Sequence, residues 1–232
     1  MTCAFVRDLT IQTGDLGKEA TLVLMFHSDM ECIYHKLFPV IWRTTSLGEK
    51  GRYSMRVTYT NQLAFCRVQV NVGNIVDTET HVQIDDGKKT TLTQTDDSFK
   101  FSVPKHGLPG YLEAINETGF IQHIAIGTMN PGDSKPKPVL YFKDVEHVIF
   151  FSFSSMELTM QDRDGSLVKA KFALILRAYI SSDHKEASVL EGAICTDSIW
   201  EQDLAQLPES TTLTLSRKPA TGHYTITQEG VI

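Results

Sequence analysis

The run from Val168 to Ile180 reads Val-Lys-Ala-Lys-Phe-Ala-Leu-Ile-Leu-Arg-Ala-Tyr-Ile. Val168, Ala170, Phe172, Leu174, Leu176, Ala178 and Ile180 share one parity, while Lys169, Lys171, Arg177 and Tyr179 fall on the other. Extended backbone sends alternate side chains to opposite faces, so this pattern makes one face dry and one wet. It predicts a long, half-buried strand.

The same period recurs along the chain. In Ala20 to His27, Leu22, Leu24 and Phe26 alternate with Val23 and Met25. Tyr53, Met55, Val57 and Tyr59 share a face before Asn61-Gln62, and Ala64, Cys66, Val68, Val70 and Val72 share one after it. A hairpin across Asn61-Gln62 is the expectation. Asp85-Asp86-Gly87-Lys88 predicts a second hairpin and Asp162-Arg163-Asp164-Gly165 a third, because glycine tolerates positive φ. Val139 to Phe142 and Val145 to Phe153 are apolar on both parities, as expected of a central strand or a subunit contact. Ala187 to Cys195 reads as a further strand. Pro104 to Gly110 and Asn130 to Pro138 read as connections, rich in proline and glycine. Ser198 to Leu207 is the best short helix, with Ser198 as cap, Glu201 three residues on, and Pro208 as the stop.

More than ten strands and little helix point to an all-β chain. The expected architecture is an antiparallel β-sandwich with one short C-terminal helix, residues 1–232 forming a single domain. A closed β-barrel is the alternative.

Of the 232 residues, 41% are hydrophobic and 22% charged, so an ordinary core can form without a metal or disulfide. The formal charge of -6 disfavours nucleic acid as a partner. No apolar run approaches the roughly 20 residues that span a bilayer as a helix. Arg7 and Asp8 interrupt the start of the chain, which argues against a secretory signal and predicts cytoplasmic residence, with unconventional secretion as the alternative. Cys3, Cys32, Cys66 and Cys195 lack metal-site spacing and are expected as free thiols, with disulfides the alternative. Asn116-Glu117-Thr118 matches the N-glycosylation acceptor pattern, which matters only in a secretory compartment.

Two neighbouring clusters carry the candidate chemistry. His27, Asp29, Glu31 and His35 combine imidazoles and carboxylates that could hold a divalent metal; otherwise no cofactor is implied. The ordinary reading is a solvated strand end. Tyr34, His35, Phe38, Trp42 and Arg43 combine flat apolar rings with hydrogen-bonding groups, as in pockets that hold sugars or other polar molecules. Trp42 could instead plug the core. Asp162 and Asp164 lack the remaining calcium-loop ligands, and adjacent Glu146 and His147 would point apart on a strand. No nucleophile elbow, phosphate loop, zinc-protease helix or dinucleotide fingerprint is present.

The expectation is a lectin-like binding protein without chemical turnover, for a small polar molecule, a carbohydrate or a protein surface. The alternatives are a metal-dependent hydrolase using the His27 to His35 cluster and a structural or membrane-active β protein. The last would form a homo-oligomer, or insert Tyr34, Phe38 and Trp42 at a lipid interface.

Overall fold

The computed structural model describes residues 5–26, 36–130, 132–152, 157–161, 167–171, 174–182, 184–194 and 196–228. Among the described residues it is nearly all β, and none of the sheets they form closes into a barrel. The first strands are β1 (Val6–Thr13), β2 (Ala20–Phe26), β3 (Leu37–Pro39), β4 (Arg43–Leu47) and β5 (Tyr53–Thr60). Next come β6 (Leu63–Asn71), β7 (Ile75–Ile84), β8 (Lys88–Thr95), β9 (Ser98–Phe101), β10 (Lys105–His106) and β11 (Tyr111–Asn116). The middle continues with β12 (Gln122–Thr128), β13 (Lys137–Val145), β14 (Val148–Ser152), β15 (Glu157–Gln161) and β16 (Leu167–Lys171). The chain ends with β17 (Ile175–Ile180), β18 (Trp200–Asp203), β19 (Ser210–Arg217) and β20 (Tyr224–Gln228).

These strands make four sheets. Two are built from the ends of the chain, in the orders β20-β19-β1-β5 and β18-β17-β2-β4. Two come from its middle, in the orders β3-β13-β12-β6-β7 and β10-β8-β11-β14-β15-β16, with β9 paired to β8. Pairing is antiparallel except for β1 with β19 and β8 with β11. A single apolar cluster runs through all four sheets, from Leu9 and Ile11 through Leu24, Phe65, Leu112, Ile124 and Phe142 to Leu213 and Ile226. Facing sheets meet through rings: Phe26 on β2 lies 5.4 Å from Tyr59 on β5. The arrangement is that of packed β-sandwich layers, with oily parities inward.

Several local expectations resolve differently. Val168 to Ile180 is extended wherever described, but its halves are β16 and β17, which belong to different sheets. No hairpin forms across Asn61-Gln62, because β5 pairs with β1 while β6 pairs with β7 and β12. The peptide groups that would close such a turn are engaged elsewhere. Asn61 N–H donates to the Phe5 carbonyl (3.2 Å), Asn61 Oδ1 accepts from Phe5 N–H (3.0 Å), and the Gln62 carbonyl accepts from Met129 N–H (2.9 Å). The segment is therefore a corner between sheets. Asp85 to Lys88 does close as a turn, with Lys88 N–H on the Asp85 carbonyl at 3.2 Å and Gly87 at φ 69°. It too passes the chain between sheets, since β8 lies parallel to β11. The third reversal fits: β15 and β16 pair antiparallel on either side of Asp162 to Gly165, which lie outside the described residues. Strand β14 is interior, between β11 and β15.

The short C-terminal helix does not form. Trp200–Asp203 instead pairs with β17, and only a 3-10 turn, Leu204–Gln206, follows. Its cap is Asp203, whose carboxylate accepts from Ala205 N–H at 2.8 Å. Ile199, Leu204 and Leu207 form no helical stripe, so ladder bonds with β17 outweigh the capping pattern.

Residues 187–194 are not a strand either. They run across the outside of two sheets and form isolated bridges, Val40 with Val189 and Ile75 with Ser188. Val189 packs with Phe38, Val40, Cys66, Val68, Val76, Ala125 and Tyr141 on the outer face of the β3-β13-β12-β6-β7 sheet. Leu190 packs with Val23, Met25, Ile41 and Tyr179 outside the neighbouring sheet. Two adjacent residues thus fill two separate clusters, each burial being worth roughly 1.5–3 kcal/mol.

Candidate functional site

Of the residues singled out from sequence, His27, Asp29, Glu31, Tyr34 and His35 lie outside the described residues. Phe38 sits on β3 opposite Tyr141, 8% exposed, in the outer cluster beside Val189. Trp42 is 1% exposed and belongs to the main core. Its ring lies 5.1 Å from that of Phe26 and 6.3 Å from that of Tyr59, and its Nε1 donates to Thr128 Oγ1 at 3.3 Å. The two rings therefore do not share a patch. Arg43 reaches the surface: its Nη1 donates to Glu186 Oε1 at 2.8 Å, and its guanidinium lies 5.6 Å from the Trp42 ring centre.

Around Trp42 and Glu186 lies a cleft of about 210 Å³. Three separate segments wall it: Ile41–Trp42 before β4, Val76–Thr78 on β7, and Lys135–Pro138 leading into β13; Glu186 and Ala187 close the fourth side. Lys135 Nζ donates to the Thr78 carbonyl at 2.7 Å and lies 3.4 Å from Asp77 Oδ1. Glu186 holds Arg43 and also lies 3.5 Å from Thr44 N–H. Ala187 has φ 62°, a left-handed conformation that L residues seldom adopt. In that conformation its N–H reaches the Ile41 carbonyl (2.9 Å) and its carbonyl accepts from Val76 N–H (2.8 Å). Trp42 is placed by Gly127, where a β-carbon would lie 2.8 Å from the Lys137 carbonyl oxygen. The missing side chain lets β13 approach and sets Thr128 beneath the indole.

The chemistry of this cleft suits binding. Its lining includes two lysines, Lys135 and Lys137, two carboxylates, Asp77 and Glu186, and an apolar floor of Ile41, Val76 and prolines. The nearby Cys66 is fully buried, and burial pushes its thiol up to about 12. A thiol so disposed stays protonated at neutral pH and is no nucleophile.

A second polar group was missed in sequence. His123 Nδ1 meets Tyr141 Oη at 3.1 Å and Asp144 N–H at 3.5 Å, with the Asp144 carboxylate at 4.0 Å. Burial lowers the His123 pKa, with Asp144 opposing and Lys143 and Arg67 adding to the fall. Burial, then Asp144, raises Tyr141 to about 12. Both rings are neutral near pH 7, so Nδ1 accepts from the tyrosine hydroxyl. Only the pairing of β12 with β13 brings them together.

The Asn116 amide, in the glycosylation pattern, is 6% exposed and fully engaged in the interior. Among the described residues, no three His, Cys, Asp or Glu side chains converge closely enough to hold a metal ion, and no helix is long and apolar enough to cross a membrane. Comparison with known proteins gave no match: no family model fits the chain, and no curated protein and no solved structure is significantly similar to it.

Proposed function

We propose that the protein is a non-catalytic binder of a small polar molecule, held in the cleft lined by Lys135 and Glu186. The observation that carries this reading is a cleft lined by Lys135, Lys137, Asp77 and Glu186 beside apolar Ile41 and Val76, with Ala187 bonded through its backbone to Ile41 and Val76 and the Lys135 ammonium bonded to the Thr78 carbonyl. At about 210 Å³ the cleft lies below the roughly 300–1,000 Å³ of sites for drug-sized ligands. Its occupant is correspondingly small and bears both donors and acceptors, as a monosaccharide or an amino acid does. Arg43 acts through Glu186, holding the carboxylate in place.

A thermal-shift panel of monosaccharides and amino acids, followed by calorimetry on the best compound, tests this. The native chain is expected to bind at least one compound. Lys135→Ala and Arg43→Ala should each weaken it by about tenfold, the loss of one charge-assisted hydrogen bond. A panel without any stabilising compound, or variants that bind as the native chain does, would overturn the assignment.

A further inference from the structure

We infer that the open edge of β5 takes up an extended acidic peptide as an added antiparallel strand. β5 is an end strand of the β20-β19-β1-β5 sheet. It pairs with β1 without a shift in register, from Val6 opposite Thr60 to Thr13 opposite Tyr53. The outward peptide groups of β5 follow from β1. Asp8 N–H donates to the Glu209 carbonyl at 2.7 Å, on the side away from β5. Peptide groups alternate along a strand, so Leu9 and Ile11 point to β5, opposite Val57 and Met55. Ser54, Arg56 and Thr58 then turn their N–H and C=O groups off the sheet. Among the described residues, none of these groups has a partner. They recur at every second residue, the spacing an incoming strand needs. Other edges are partly taken: Ala187 bonds β7 at Val76, and Thr44 N–H of β4 faces the Glu186 carboxylate at 3.5 Å.

Side chains set the chemistry of the strand that fits. Met55, Val57 and Tyr59 pack on the core, so Ser54, Arg56 and Thr58 lie on the outer face. Arg52, just before β5, falls on the same parity. Both arginines are exposed, and among the described residues neither has a hydrogen bond or ion pair. Asp8 stands opposite Thr58 and accepts from its hydroxyl at 2.6 Å, so that acid lies beyond the arginine pair. The arginines are four residues apart, and an added strand meets them with carboxylates at its positions k and k+4. Tyr53, 37% exposed, and half-buried Met55 lie on the inner parity between them. Apolar residues at k+1 and k+3 would cover both. The pattern is acidic, apolar, polar, apolar, acidic.

A second copy of β5 does not meet it. In the central antiparallel registers that use the same outward groups, Arg56 falls opposite or diagonal to its own counterpart, and like charges there oppose pairing. Edge cations of this kind discourage self-association and favour a strand of opposite charge. The edge shares no residue with the Lys135 cleft, so each stands or falls alone.

The test is fluorescence anisotropy of the full chain, at low salt, with the labelled peptide acetyl-Ser-Glu-Val-Thr-Val-Glu-Ser-amide. The native chain is expected to bind it, and to bind the counterpart with lysine for both glutamates about tenfold more weakly. The double variant Arg52→Glu, Arg56→Glu should reverse that preference. Ser54→Pro removes one outward N–H and leaves the ladder to β1 intact, since proline is tolerated where an edge N–H faces solvent. It should weaken binding about tenfold, and Arg43→Ala should leave binding unchanged. Circular dichroism checks each fold; the arginine variant alters only exposed side chains and decides the matter if Ser54→Pro unfolds. No binding of the acidic peptide, equal binding of both peptides, or native affinity in a folded Ser54→Pro would each overturn the inference. So would a native dimer that Ser54→Pro dissociates, which would give the edge to a second copy.

Discussion

Trp42→Ala is expected to destabilise the protein by about 3–5 kcal/mol, the usual cost of emptying a buried aromatic site. The indole is among the largest fully buried side chains and lies against Phe26, which in turn touches Tyr59 across the facing sheets. Its removal also leaves the Thr128 hydroxyl without the donor it accepts from. Trp42→Phe keeps a ring and gives up that hydrogen bond, so it should cost less than the alanine variant. Urea unfolding of the three proteins measures both differences. A loss below about 1 kcal/mol in Trp42→Ala, accompanied by lost ligand binding, would make the ring a surface anchor instead.

Asn116→Ala should cost roughly 2–4 kcal/mol, because a buried polar hub disappears while its partners stay buried. Asn116 Nδ2 donates to the carbonyls of Phe120 (2.8 Å), Val145 (2.9 Å) and Glu146 (3.2 Å). Oδ1 accepts from Thr118 N–H (3.1 Å) and Thr118 Oγ1 (2.8 Å). One side chain thereby ties the end of β11 to the turn before β12 and to the corner between β13 and β14. Asn116→Asp is the sharper test. It keeps the volume and Oδ1 but sets a carboxylate oxygen against three carbonyls, and it should be at least as damaging as alanine near pH 7. A neutral Asn116→Asp would mean that these bonds do not hold the corner. The same geometry removes Nδ2 from the surface, so the folded chain presents no N-glycan acceptor at Asn116.

Alternation was the most legible property of the chain, because it depends only on neighbouring residues. Val23 and Met25, opposite Leu22, Leu24 and Phe26, were readable as buried on both faces, and the structure buries all five. Sheet membership was not readable, because distant residues decide it. Asn61 bonds to Phe5, far away in sequence, and that bond converts an expected hairpin into a corner. Strand β6 instead forms a hairpin with β7, turning through Val72-Gly73-Asn74, with Gly73 at φ 82° and Asn74 at φ 59°. Gly-Asn was a usable signal for it, weakened by Val72 in an otherwise apolar run. Parallel pairing of β1 with β19 leaves no mark in either strand.

The candidate site was legible in fragments. Trp42 and Arg43 were named from their chemistry, but being adjacent on extended backbone they part, one to the core and one to the surface. Lys135 lay in a segment read as a plain connection, and Glu186 in one that adjoins an expected strand. Nothing in either neighbourhood shows that Ala187 turns left-handed and brings the two to one cleft.

The claim beneath all of this is that the chain leaves its first sheet at Asn61, so that β1 lies between β5 and the late strand β19. Nuclear Overhauser contacts between backbone protons of deuterated protein test it directly. Cross-strand contacts are expected for Asp8 with Thr58 and for Thr10 with Thr212, the latter in a parallel pattern. Contacts joining Thr58 and Tyr59 to Ala64 and Phe65 as a ladder, with none between β1 and β19, would contradict the fold and both proposed sites.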